Sequence, residues 1–555
     1  MPKDFLKRGL SLLLKQQSNI LSAAFVIMAT IIFSQILGLI RIRLLVAIFG
    51  ASNTLGVYFA STRLPDFLFQ LLIAGALSSA FIPVFSDYLV KGKEKEGHKV
   101  ASVLLLLILI IFSLLSLVLF IFARQFSAIV APGFSGAQLD LMSSLTRIVI
   151  FGEILFIVGS FLSSILQSYN HFFIPGIASA LYNLGIILGI LIFSPFVGIF
   201  SAAYGVILGA LIFVIIQIPF VTKLGFTFRP SLSITYIKSS GVLDIFKLIW
   251  PRTLSIAIFQ IGTIITVTLV SFLANPGRNY VIFDLAQTIA FAPVVLFGQA
   301  IAQATFPVLS KERERLEDFK VTFITSFNQM LYLVLPFSVL FLVLRIPIVR
   351  LVFGVTKLDW SATVLTGRTL AYFSISIFAQ ALVYLIARGF YALHDTKTPL
   401  IIGGLTTLIM ILLGAAFIFI YHLGIESIAA AYSIASILNF LFLFIFLDRK
   451  VGGFDKFLLI KSELKIFIAT VFTAFALYIP IKLLDQLIFD TTKTVNLIVL
   501  TGISSFAGLT LYLFLTWLFD VKEAAMFIQL FKRLGDWKQI LKGSEEIIDG
   551  TRLNP

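Results

Sequence analysis

Fourteen stretches of roughly twenty or more mainly apolar residues recur along the 555-residue chain. A bilayer core about 30 Å thick is crossed by about 20 apolar residues in a helix. The stretches lie near 20–49, 54–89, 100–123, 139–168, 174–194, 198–221, 241–273, 280–309, 320–345, 361–389, 398–420, 424–447, 463–484 and 494–519. They are continuous apolar runs, not the alternating ten-residue segments of a membrane barrel. Within lipid, a helix is then the backbone form that satisfies its own N–H and C=O groups. Composition agrees: 59% of residues are hydrophobic and 12% charged, against about 45–50% and about 25% in soluble domains. These values exclude a soluble enzyme, a disordered chain and a nucleic-acid-binding domain. The expected fold is an all-α polytopic membrane protein with about 14 transmembrane helices.

The formal charge is +15, and its distribution predicts orientation. About 10 Lys and Arg residues fall in connections from odd to even spans, and about 27 fall on the other side, termini included. Basic residues collect on the cytoplasmic side, so both termini are expected there, with 1–19 a retained cytoplasmic segment and not a signal peptide. The tail 521–555 includes a stretch, 521–542, whose Phe527, Leu530, Phe531 and Leu534 alternate with Lys532, Arg533 and Lys538. It reads as an amphipathic helix on the membrane surface. The chain has no cysteine and 4 histidines, so no disulfide, thiolate or histidine-cluster metal site is expected. No P-loop and no nucleophile–base constellation stands out, so no cofactor and no enzymatic activity are expected, and no nucleic-acid partner.

Two proline contexts recur at one shift. Ala80-Phe81-Ile82-Pro83-Val84-Phe85-Ser86 is echoed by Ala304-Thr305-Phe306-Pro307-Val308-Leu309-Ser310. Pro175 after Tyr169-Asn170-His171 is echoed by Pro399 after Tyr391-Ala392-Leu393-His394. Both offsets are 224 residues, six spans apart. An even number of spans per repeat gives parallel units related by an axis along the membrane normal. The expected organisation is a six-helix lobe over 20–221, a second over 222–448, and two further helices over 449–520.

Ionisable groups inside spans are costly and usually face a cavity or a partner. Arg41 and Arg43 interrupt the first apolar run with no acid nearby in sequence. Arg63 and Asp66 stand three residues apart, a spacing that allows a local ion pair. Arg147, Glu153, Arg252 and Asp284 are further charges within spans, and Arg368 and Arg388 are expected to snorkel or pair. A guanidinium binds phosphate oxygens in a bidentate fork, so Arg41, Arg43, Arg63 and Arg252 are candidate contacts for an anionic, phosphate-bearing substrate.

Taken together, Ser34-Gln35-Ile36-Leu37-Gly38-Leu39-Ile40-Arg41, Arg63-Leu64-Pro65-Asp66, Gly75 through Pro83, Ala131-Pro132-Gly133-Phe134, Leu166-Gln167-Ser168-Tyr169-Asn170 and Asp395-Thr396-Lys397-Thr398-Pro399 resemble the MurJ (MviN) lipid II flippases. The resemblance implies a member of the multidrug/oligosaccharidyl-lipid/polysaccharide exporter superfamily, with two lobes around a cationic cavity. It implies transfer of undecaprenyl-pyrophosphate-linked peptidoglycan precursor across the bacterial cytoplasmic membrane by alternating access, with the last two helices forming a groove for the lipid tail. The implied partners are that precursor and membrane lipids, with cell-wall synthesis enzymes as further candidates.

Several positions depart from the family pattern. Ile42 stands where an acid follows the first-span arginine, Phe69 and Gln70 replace an arginine pair, Ala74 replaces an acid, and Gln287 begins a segment that lacks the family's Asp-Arg pair. Gln70 and Gln287 therefore join the four arginines as candidate substrate-binding residues. Two other readings stay open: a flippase for another polyprenyl-linked glycan, and a non-transporting scaffold of cell-wall synthesis.

Overall fold

The computed structural model describes residues 20–74, 81–229, 253, 257–258, 260–487 and 493–524. The segment 1–19, residue Arg252 and most of the predicted surface helix at 521–542 lie outside the described residues. Among the described residues every regular element is helical. Eleven helices are long and apolar enough to cross a membrane, or twelve with the pair Trp360–Ser374 and Ile377–Ala392, which is bent by 43°. The two further stretches, 54–89 and 241–273, each include residues outside the described set. They are described as Asn53–Phe69, Gln70–Ala74 and Ile82–Val90, and as Gln260–Ser271. The chain is a polytopic all-α membrane protein.

The described chain divides into two compact units. The first comprises Met1–Ala286, Val352–Thr369 and Gly403–Tyr432. Here Phe173–Val197 lies along Phe200–Ile215 with glycine against glycine. A Cβ on Gly185 would stand 2.5 Å from the Gly209 Cα, and one on Gly189 2.4 Å from the Gly205 Cα. Without a hydrophobic force between helices in lipid, such small residues allow the close backbone approach that dispersion needs. Phe81, Phe85, Phe112 and Phe161 fill one core, with the Phe81 and Phe161 rings 4.7 Å apart.

Broken helices leave backbone groups that something must satisfy. Buried Gln217 sits between Phe200–Ile215 and Ile218–Lys223. Its amide donates to the Phe213 carbonyl at 2.7 Å and the Gly159 carbonyl at 3.1 Å, and accepts from the Ser163 hydroxyl at 2.8 Å. Gly136–Ser168 begins in a reciprocal capping box between Ser135 and Gln138, an arrangement that satisfies two N-terminal donors.

The second unit comprises Gln287–Leu351, Leu370–Ile402 and Ser433–Pro555. Its Leu316–Val343 helix packs against Lys456–Leu487 and Ile377–Ala392, and the Tyr512 hydroxyl donates to the Tyr332 carbonyl at 2.7 Å. Arg388 stands over the Phe306 ring, 5.3 Å from its centre. Asp395 ties the Lys397–Phe419 start to Lys450. It accepts from the Thr398 N–H at 2.9 Å and hydroxyl at 2.8 Å, and pairs with the Lys450 ammonium.

The shift of 224 residues has a structural counterpart. A π-helical turn occupies Gln70–Ala74 and another Val294–Gln299, so their first residues are also 224 apart. Each precedes its proline, Pro83 or Pro307.

Two outcomes follow from this packing. A Cβ on Gly56 would stand 1.9 Å from the Gly277 carbonyl oxygen. Gly56→Ala is expected to lower the melting temperature of the detergent-purified protein through about 1–3 kcal/mol of overpacking, and an unchanged melting point would contradict the close approach. At Asp395, burial alone would push the carboxyl up, but the Lys450 and Thr398 hydrogen bonds outweigh it and hold it at about 2. Its stabilisation is therefore complete above the usual carboxylate value of about 4 and lost as pH falls through about 2. The melting-point gap between wild type and Asp395→Asn should be widest at neutral pH and close as pH falls across that window.

Candidate substrate site

Asn53–Phe69 starts at Ser52, whose hydroxyl accepts from the Leu55 N–H at 3.2 Å, a normal N-cap. Pro65 interrupts its ladder, because proline has no N–H for the carbonyl four residues back. That carbonyl belongs to Ser61, and the Thr146 hydroxyl supplies the missing bond at 3.1 Å. The helix thereby continues past the proline from Arg63 to Asp66.

Arg63 does not pair with Asp66. Its Nε donates to the Tyr280 hydroxyl at 2.6 Å and its Nη2 to Asp284 at 2.5 Å. Tyr280 and Asp284 are four residues apart on Pro276–Pro293, hence on one face. The Arg63 and Asp284 side chains are 24% and 16% exposed, so the pair is largely withdrawn from solvent. The guanidinium also lies 5.6 Å from the centre of the Tyr280 ring, within cation–π range. Asp66 instead hydrogen-bonds Glu153 and Thr62. Glu153, on Gly136–Ser168, is 5% exposed.

Arg41, on Ile20–Phe49, is half-buried and has no hydrogen bond or ion pair among the described residues. It acts electrostatically on Asp66, Tyr58 and Tyr182. Arg43 lies apart from this group. It is exposed and donates to the Gly354 carbonyl at 3.4 Å, beside the contact of Lys357 Nζ with the Ile48 carbonyl at 2.5 Å. At the same helix ends Arg278 pairs with Asp359 at 2.7 Å and its N–H donates to Asn53 at 3.0 Å. Burial would raise the Asp359 carboxyl, but the Ser361 and Arg278 hydrogen bonds outweigh it and hold it below its ordinary value.

The remaining candidates divide. Gln70 opens the first π-helical turn and is half-buried. Gln287 is half-buried three residues beyond Asp284 on Pro276–Pro293. Arg252 lies outside the described residues; its neighbour Thr253 donates to the Leu71 carbonyl in the π-helical turn at 3.2 Å. The roles of Tyr280 and Asp284 as the Arg63 partners, and of Glu153 as the Asp66 partner, had no sequence signal beyond a charge or phenol within an apolar run.

The Arg63–Asp284 contact makes a measurable claim. Arg63→Ala and Asp284→Ala should each lower thermal stability by leaving the other charge without its partner. A double-mutant cycle should return a coupling of about 1.5–3 kcal/mol, the range for hydrogen bonds to charged groups. Additive effects would show the pair to be open to water.

Comparison with known proteins agrees with this architecture. The family model described as "Lipid II flippase MurJ" matches residues 45–500. The probable lipid II flippase MurJ of Buchnera aphidicola subsp. Acyrthosiphon pisum is 30% identical over 433 residues, 77% of this chain and 83% of that protein. The probable lipid II flippase MurJ of Thermotoga maritima is 29% identical over 437 residues, 76% of this chain and 84% of its own length. A solved structure of the lipid II flippase MurJ in an inward closed conformation superposes with a TM-score of 0.74 at 24% identity, covering 89% of this chain and 98% of that one. An inward-facing multidrug resistance MATE family transporter of the MOP superfamily gives 0.65 at 15% identity, covering 76% and 94%. These last two likenesses concern the fold. By the extent of the family match and the identity to its curated members, the chain belongs to the MurJ lipid II flippase family.

Proposed function

We propose that this chain moves lipid II, the undecaprenyl-pyrophosphate-linked peptidoglycan precursor, from the inner to the outer leaflet of the bacterial cytoplasmic membrane by alternating access. The observation that carries the reading is Arg41: a half-buried guanidinium inside the first span with no hydrogen-bond or ion-pair partner among the described residues. A cation left unpaired in a membrane-spanning segment is costly, and an anionic substrate group supplies the missing partner. A pyrophosphate offers oxygens for its planar fork.

Arg63 is positioned for the same role one helix away, pre-oriented by Tyr280 and Asp284. Arg252, Gln70 and Gln287 are assigned to the sugar-phosphate head group, and Arg43 to its approach. The prenyl chain needs an apolar bed. In the second unit a cavity of about 320 Å³ is lined by Leu331, Leu335, Phe378, Phe440, Leu464 and Phe467, with Glu463 as the one charged residue of its lining, and with Lys456–Leu487 as one wall, in keeping with a tail groove along the last two helices. The lobes are read as 20–221 and 222–448, with 449–520 as the tail helices. Both termini are read as cytoplasmic, from the basic loops, and contacts with cell-wall synthesis enzymes belong to the same reading.

The test is depletion of the protein in its host, in a strain without a redundant flippase, followed by assay of labelled lipid-linked precursor at the outer leaflet. Exposure should fall on depletion and return with wild type. Arg41→Ala should restore it by no more than about a tenth, a loss on the scale of one charged contact. Unchanged exposure of the peptidoglycan precursor overturns this substrate, and the neutral Gln70 and Gln287 then favour another polyprenyl-linked glycan.

A further inference from the structure

The cavity of the second unit sets one carboxylate among apolar walls. Leu316–Val343, Ile377–Ala392, Ile425–Lys450 and Lys456–Leu487 each contribute to its lining. The last of these contributes Ile460, Glu463, Leu464 and Phe467, at spacings of three and four and hence on one helix face. Ile460, Leu464 and Phe467 are exposed, and exposed apolar side chains on a membrane span face lipid. The cavity is therefore open to the bilayer on this side.

Glu463 has an unmet need there. Its Oε1 is shielded from solvent and accepts no hydrogen bond from a described residue. The cations described around it are engaged elsewhere. Lys465, two residues on, donates to the Phe519 carbonyl at 2.6 Å. Lys450 pairs with Asp395, and Lys320, in the second turn of the facing Leu316–Val343, pairs with Glu317 at 2.8 Å. The apolar span of this helix begins at Ser462, so Glu463 stands at the edge of the hydrocarbon, where lipid headgroups meet their chains. It lies about 10 Å along the axis from the start of Lys456–Leu487 and Phe467 about 6 Å further in, at about 1.5 Å per residue. The basic loop before this helix is the one read as cytoplasmic. A shielded acceptor without a donor is costly, and an anionic one more so. The group that relieves it must donate a hydrogen bond, carry positive charge, and bring an apolar chain to the walls beyond.

We infer that the cavity binds an aminophospholipid of the cytoplasmic leaflet, with its primary ammonium on Glu463 and one acyl chain along Leu331, Leu335 and Phe467. A primary ammonium supplies both the charge and three N–H donors. A trimethylated head keeps the charge but has no donor, and an anionic head is repelled. The cavity of about 320 Å³ is at the small end of ligand pockets, about 300–1,000 Å³, which suits part of one chain. The site itself does not depend on the transported substrate. One consequence does rest on the flippase reading: the prenyl chain placed in this cavity and the acyl chain exclude one another.

The experiment is native mass spectrometry of the full purified chain, titrated with phosphatidylethanolamine and with phosphatidylcholine of identical oleoyl chains. Wild type should bind the first about tenfold more tightly, the scale of one charge-assisted hydrogen bond, and Glu463→Gln should bring the two affinities within about twofold. Leu464→Trp, which fills the cavity from its lipid-facing wall, should weaken binding of both lipids. Equal affinities in wild type, a preference that survives Glu463→Gln, or binding untouched by Leu464→Trp overturns the site. Undecaprenyl phosphate added to the wild-type complex should displace the phosphatidylethanolamine. Failure to displace it overturns the prenyl-chain placement and the mutual exclusion, and leaves the aminophospholipid site standing.

Discussion

A charged side chain in the hydrocarbon layer must find a partner, and the Arg63 guanidinium finds two on one helix face. That bond, between residues 221 positions apart, fixes where Asn53–Phe69 stands against Pro276–Pro293 within the first unit. The consequences spread from it. With Arg63 engaged by Tyr280 and Asp284, Asp66 is free to face Glu153, and Arg41 is left without a partner among the described residues. Gly56 and Gly277 bring the same two helices close at one end. The rest of the site is what remains once one cation has been neutralised.

The apolar runs made the helical spans readable, because in lipid the length of an unbroken run and the thickness of the bilayer leave little choice. They predicted the two long helices Gly136–Ser168 and Leu316–Val343 closely. The charged positions were readable as positions, since each stands out in an apolar run. Their partners were not. Arg63 and Asp66 at a spacing of three suggested a local pair, yet Arg63 crosses to Asp284 while Asp66 crosses to Glu153. Local spacing states what a helix permits; the choice is made by which neighbouring helix supplies a second hydrogen bond, here the Tyr280 hydroxyl. Arg43 shows the same limit. One turn-fraction from Arg41 in sequence, it points to another side of the helix and reaches the Gly354 carbonyl.

Backbone accounting explains several polar residues that would otherwise invite functional readings. Thr146 caps the carbonyl that Pro65 releases. Gln217 is fully engaged by the break between two short helices. Asp395 holds a helix start and a lysine together. In lipid each unmade bond costs several kcal/mol, so such residues are held in place by architecture.

The wide turns at Gln70–Ala74 and Val294–Gln299 reset helical phase. A π-helical turn bonds one residue further along the chain than an α-helical turn. It therefore takes up one extra residue, which rotates everything after it by about 100° relative to an uninterrupted helix. A helical wheel drawn from Pro276 through Glu312 places the later residues on the wrong face. Both halves of the chain carry a π-helical turn at equivalent positions, and in Pro276–Glu312 the lining changes sides part-way along the helix. The helix from Pro276 to Glu312 can in this way present its first half to one neighbour and its second half to another.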